Sequence, residues 1–257
     1  ARVILEEELK RKPSPYLLFL LAECYQKEGR IAEYEKINLA GCPPFYEQIK
    51  QGLWYLYQGS YTLAYSSFEK VKPESAYSLV GMGLARKAEG KLSEAKRLYL
   101  SAKGKEPACH LSYLHLFFLY SMKGDEPNAL EILAEGITKT NSPQLLYEFS
   151  GLLLRENDLK PATGVLLELT RIEPDNILIK ERIAFLLLSK GVSMEEVPDK
   201  LSSNKTEQLY LGAVAALFSQ FHTTALRKFS ELKEKDSDLY RARLKMLWLY
   251  KEFSLKK

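Results

Sequence analysis

Small residues recur along this chain at fixed intervals. Gly83 precedes Ala95 by 12 residues, and Ala95 precedes Pro107 by 12; Ser150, Ala162 and Pro174 repeat both intervals. The alanines Ala64, Ala95, Ala129, Ala162 and Ala225 set the phase, with steps of 31, 34 and 33 residues and a last gap of 63 that hides one degenerate unit. Self-similarity at such a period restricts the chain to a repeat architecture. Within a unit, apolar residues recur at helical three-four spacing, a glycine or polar turn follows, and a second helical stripe comes after it. Gly52, Gly83, Ala184 and Ala213 fall inside the first helix of a unit. Glycine there disfavours the helix by roughly 1 kcal/mol relative to alanine. Close approach of a neighbouring helix is the natural compensation.

The arrangement resembles the tetratricopeptide repeat family, whose pattern is Trp, Leu, Gly and Tyr on the first helix, then Ala, Phe and Pro. One unit reads Gly52, Tyr55, Gly59, Ala64, Phe68, Val71. The next reads Leu79, Met82, Gly83, Gly90, Ala95, Tyr99, Ala102, Pro107, and a later one Leu146, Phe149, Ser150, Leu153, Ala162, Leu166, Leu169, Pro174. Weaker units run through Tyr113, Gly124 and Ala129, and through Leu209, Ala213, Ala225 and Phe229. The resemblance covers nearly all of residues 13–236. It implies an all-α fold, a right-handed α–α superhelix (solenoid) of about six to seven helix hairpins. Two units depart from the pattern. Tyr34 stands where the phase requires alanine, and the stretch from Ser193 to Ser202 holds Pro198, which predicts a short irregular helix or turn.

A solenoid grows by stacking, so residues 1–257 are expected to form one elongated domain. In it, residues 1–12 are either the second helix of an earlier repeat or an N-terminal cap, 13–236 the repeats and 237–257 a C-terminal capping helix. Strand signals are poor, with no alternating runs and no Asn-Gly hairpin. The longest apolar stretches, Tyr16 to Ala22 and Leu209 to Phe218, fall short of the roughly 18 residues of a membrane span. Cys24, Cys42 and Cys109 give no disulfide framework. Their use points to a reducing compartment, and a cytoplasmic location is expected.

The net charge of +4 comes from 37 basic and 33 acidic residues, too mild a surplus to imply nucleic acid. It belongs to the end of the chain, since residues 227–257 hold ten Lys/Arg against five Asp/Glu. Motifs that carry chemistry do not emerge. Gly90-Lys91-Leu92-Ser93 lacks the glycine spacing of a phosphate loop and reads as the turn between paired helices. Cys109, His110 and His115 match no zinc spacing and lack a fourth ligand, so neither metal nor cofactor is expected. His110 fits a helix start and His115 a groove position. No nucleophile elbow, kinase signature or metalloprotease motif appears, and no catalytic residue is assigned.

At about 100° per residue, each first helix carries a second stripe beside its core positions. The family resemblance implies that this stripe faces the concave groove. Its members include Tyr46, Ile49 and Leu53; Tyr77, Val80 and Leu84; Leu114 and Phe118; Tyr147 and Leu154; and Phe185. A bare face of this kind exceeds the few hundred Å² of apolar patch that monomers tolerate. Either it receives an apolar or amphipathic segment of a partner, as an extended peptide or a helix, or the superhelix fills its own groove. Lys50, Lys87 and Arg182 are nearly the only cations on the stripe and are not expected to converge. This disfavours the subtype of the family that binds chaperone carboxylates. Beyond the last repeat, Leu239, Met246, Trp248, Leu249 and Phe253 give an unusually apolar cap, either sunk on the last unit or in contact with another subunit or protein.

The leading functional expectation is a non-enzymatic protein–protein interaction scaffold or adaptor. The alternatives are a helical-repeat RNA-binding protein or the helical part of a larger enzyme or assembly. Repeats that read RNA place base-reading side chains at equivalent positions, and no such recurring Arg or Asn set exists here. In a titration against single-stranded RNA, the expected outcome is weak association without a steep dependence on salt; a steep slope of log affinity on log salt points to phosphate contacts instead.

Overall fold

The computed structural model describes residues 2–235. The expected C-terminal contact of Leu239, Met246, Trp248, Leu249 and Phe253 therefore lies outside the described residues. Within them the chain is all-α and forms no strand. Its helices are α1 (Arg2–Arg11), α2 (Pro15–Lys27), α3 (Ile31–Tyr34), α4 (Phe45–Tyr57), α5 (Tyr61–Glu69), α6 (Ala76–Ala88), α7 (Leu92–Lys105), α8 (His110–Met122), α9 (Glu126–Thr140), α10 (Pro143–Arg155), α11 (Leu159–Ile172), α12 (Ile177–Ser189), α13 (Val197–Leu201), α14 (Lys205–Phe218) and α15 (His222–Lys235). Packing divides the chain into two compact units, Ala1–Leu145 and Leu146–Lys257. Among the described residues the first holds α1 and four successive hairpins from α2 to α9. The second holds three, from α10 to α15. None of these helices is long and apolar enough to cross a membrane.

The hairpin turns follow from backbone chemistry. α6 starts on a reciprocal cap, in which Ser75 Oγ accepts from the Ser78 N–H and Ser78 Oγ from the Ser75 N–H. The same helix ends at Gly90, whose φ of 80° lies in the left-handed region. There the Lys91 N–H donates to Arg86 O at 2.9 Å and the Gly90 N–H to Lys87 O at 3.0 Å, which satisfies carbonyls the helix leaves over. The Gly90–Ser93 segment is thus a helix-pairing turn. In the second unit Asn157 and Gln220 take the equivalent left-handed position, with φ of 57° and 65°.

Close approach of helices is where the repeat phase originates. Ala64, Ala95, Ala129, Ala162 and Ala225 are all fully buried. The ring of Phe68 on α5 fits against Gly52 of α4 and Gly81 of α6; a Cβ placed on Gly52 meets that ring at 2.8 Å. The Tyr99 ring of α7 presses on Gly83 of α6 in the same way, and Gly136 lies against Tyr113 and Leu145. The two irregular units have local causes. α3 stops after four residues at Tyr34, whose side chain is buried where the pattern has alanine and whose hydroxyl donates to Leu18 O at 3.0 Å. An Asn38 turn, Gly41 and the pair Pro43-Pro44 then carry the chain to α4. α13 has five residues with proline at its start, as Pro198 led one to expect.

Gly83→Ala tests this interlock. Helix propensity alone favours alanine by up to about 1 kcal/mol, but the new methyl strikes a buried ring, and overpacking of that kind costs about 1–3 kcal/mol. A net loss of stability in urea denaturation is expected. Gly104→Ala, in a helix and facing open space, should gain stability.

Candidate functional site

The first unit carries most of the stripe expected to line a groove. Ile49 and Leu53 of α4 and Val80 of α6 are sealed, with at most 1% of their surface exposed, and Tyr46 and Leu114 are buried too. Tyr77, Leu84 and Phe118 remain half-buried. The cover comes from the chain itself. α2 packs on α4, the Phe19 ring of α2 lies 6.0 Å from that of Tyr77 on α6, and the Tyr16 ring meets His110 of α8 edge-on at 4.5 Å. Aromatic side chains thus reach from the first hairpin to the fourth across the inner face of this unit.

A cavity of about 440 Å³ remains between α2, α4, α6 and α8. Phe19, Leu20, Leu56, Leu84, Leu111 and Leu114 form its apolar wall, with Lys87, His115, Glu23 and Tyr57 among the polar residues that border it. α8 begins at His110, so His115 sits one and a half turns in, on the face toward α6. The imidazole stacks on Tyr99 with ring centroids 5.3 Å apart, and its Nδ1 is sealed from solvent with no hydrogen-bond partner. Burial pushes its pKa down to about 3, with the nearby charges of Lys87 and His110 adding to the effect. The His110 imidazole is also lowered by burial, and its Nε2 has no partner either. Desolvation likewise lowers the Lys87 ammonium, which lies 5.9 Å from the centre of the Phe118 ring.

The other two cations of the stripe are engaged. Lys50 Nζ donates to Ile37 O at 3.0 Å and pairs with Glu47 at 2.9 Å. In the second unit, the Arg182 guanidinium of α12 stacks on the Tyr147 ring of α10, 3.2 Å from its centre, and its Nη1 donates to Ser150 Oγ at 2.8 Å. Tyr147 is therefore half-covered by an arginine from its own unit, and Leu154 is buried. Phe185 of α12 has a different setting. It meets Phe218 edge-on at 5.3 Å in an open pocket of about 530 Å³, completed by Leu188, Val192, Met194 and Phe221. Phe221 is 54% exposed. Phe218 and Phe221 were not singled out from the sequence, yet a signal was present: Phe221 is a large aromatic in a hairpin turn, next to left-handed Gln220.

Burial pushes the Cys109 thiol up to about 11, away from thiolate. Ser112 Oγ donates to Cys109 O, and Ser150 Oγ to Tyr147 O.

His115 makes stability sensitive to mild acid. Its folded pKa lies below the unfolded value, so the unfolded chain takes up the proton first. The stability it contributes is complete above about 6.5 and is lost as the pH falls from there toward about 3. His115→Phe should lose less stability between pH 7 and pH 5 than the unsubstituted chain, as read from urea midpoints; equal losses would mean that the imidazole is solvated.

No protein-family model matches the sequence, and no curated protein does. Solved structures do match. A tetratricopeptide repeat protein from Parabacteroides merdae superposes with a TM-score of 0.57 at 17% identity, over 81% of this chain and 88% of that one. Pseudomonas aeruginosa pilF gives 0.54 at 16% identity, over 88% and 99%. A chain of the APC/C hetero-tetramer Cut9-Hcn1 gives 0.56 at 17% identity, over 95% of this chain and 52% of that one, so the present chain spans about half its length. Phased alanines, glycine-notched hairpins and these superpositions together show that the chain has the tetratricopeptide-repeat fold.

Proposed function

We propose that the chain is a non-enzymatic protein-binding scaffold, and that its second unit receives an apolar or amphipathic segment of a protein partner. The observation that carries this reading is the pocket around Phe185, Phe218 and Phe221, an open aromatic slot with a more than half-exposed phenylalanine at its rim. Interface anchors favour such places, because a side chain entering an aromatic pocket releases water from both surfaces. Met194 adds an adaptable wall. One of the similar structures is itself a hetero-tetramer, which accords with a role in assembly. In the first unit most of the inner stripe is already buried within the chain, so the partner's anchor is assigned to the second.

Phe221→Asp and Phe185→Asp test the assignment. Phe221 is mostly exposed, so its substitution should leave helicity and melting temperature unchanged while removing a co-purifying protein from affinity capture. A peptide from the captured protein should then bind the unsubstituted chain one-to-one and the Phe221→Asp chain at least tenfold more weakly, about 1.4 kcal/mol. A capture set unaltered by both charges would place the partner elsewhere.

A further inference from the structure

We propose that the cavity of the first unit is a binding site for a small amphiphile with an aliphatic tail and an anionic head, of the class of free medium-chain carboxylic acids, with the head on Lys87. The volume of about 440 Å³ lies within the range of about 300–1,000 Å³ typical of ligand cavities. About half of its lining is apolar, five leucines with Phe19 and Ala88, and the rest is polar or aromatic hydroxyl, Lys87 and His115 among it.

Lys87 specifies the charge. It makes no hydrogen bond and no ion pair among the described residues; its neighbours are the Phe118 ring, 5.9 Å away, and the neutral imidazole of His115. Other partly buried lysines hold carboxylates: Lys50 with Glu47, Lys103 with Glu135 at 2.7 Å and Lys180 with Glu207 at 2.7 Å. A half-buried ammonium without an anion is an unmet electrostatic demand, and a carboxylate head meets it. His115 stands in the same wall as a neutral imidazole whose Nδ1 is sealed, so it adds no competing positive charge beside Lys87. Glu23 is the one acid bordering the cavity; burial of its carboxyl pushes its pKa up and Lys27 only partly offsets this, so it holds its proton more readily than a surface glutamate, and no ion pair joins it to Lys87. The size of the occupant follows from α2. With Tyr16 on His110 and Phe19 on Tyr77, the inner face has no room for a helix about 10–12 Å across, whereas a single alkyl chain fits between Leu84, Leu111 and Leu114.

Calorimetric titration of the whole chain with decanoate, decanol and decyltrimethylammonium tests the proposal. Decanoate should bind one-to-one and at least tenfold more tightly than decanol, with the cation weakest. Lys87→Met should reduce decanoate to the level of decanol and leave decanol unchanged, with the melting temperature retained. Leu84→Trp, which fills the cavity from its wall, should abolish both. Decanoate binding no tighter than that of the cation, or decanoate binding indifferent to Lys87→Met, overturns the proposal. Phe221→Asp belongs to the other unit and should leave these titrations unchanged, so failure here and failure of the partner pocket are separate results.

Discussion

The fold depends on an aromatic ring seated in a notch that only glycine leaves open. Phe68 takes its place between two first helices because Gly52 and Gly81 present bare backbone to it, and Tyr99 does the same at Gly83. Glycine in a helix is unfavourable on its own by roughly 1 kcal/mol. Burying a phenylalanine or tyrosine ring removes about 150–250 Å² from water, worth several kcal/mol at roughly 25 cal/mol per Å², so the exchange favours the notch. It also fixes register, since a ring that fits one glycine collides with the residue a turn away. Charges cannot set that register. Pairs such as Lys103 with Glu135 and Lys105 with Glu74 tie successive hairpins together, but partly solvated pairs contribute about 0–1 kcal/mol each.

The same tight spacing brings the inner edges of the first unit's helices close enough for α2 to reach over them. Tyr16 and Phe19 then convert a face that would stand open into an interior. Ile49, Leu53 and Val80 are sealed, and the polar residues nearby lose part of their water. That is why His115, an ordinary histidine in sequence, is held neutral far below its usual range, and why Lys87 is less basic than a surface lysine.

How much was legible in the sequence follows from which constraints are local. The notch is periodic: Gly83 to Ala95 and Ser150 to Ala162 keep the same spacing because the same pair of helices must touch in each unit. Hairpin turns were legible for a similar reason, as at Gly90, and so was the irregular α13, through Pro198. The truncation of α3 was only partly so: Tyr34 was visible as a departure from alanine, but not that its hydroxyl would fasten to Leu18 and end the helix there. The inner face was least legible. Whether Tyr46 or Val80 faces water depends on a helix that belongs to another repeat, and no periodicity within a repeat encodes that contact. Phe221 was overlooked because a stripe defined along helices passes over turns.

The two unlike polar settings of the inner stripe sharpen what the first unit's cavity requires. In the second unit Arg182 has a ring to stack on and Ser150 to receive its N–H, so its burial is compensated in place. Lys87 and His115 have the ring contacts without the polar ones. A purely apolar void is stable when dry, whereas a cavity bordered by a partly desolvated ammonium with no protein anion favours an occupant that brings one. On the proposed reading an occupant brings an acceptor for the ammonium at one end and apolar surface for the leucine wall at the other, whatever the second unit binds.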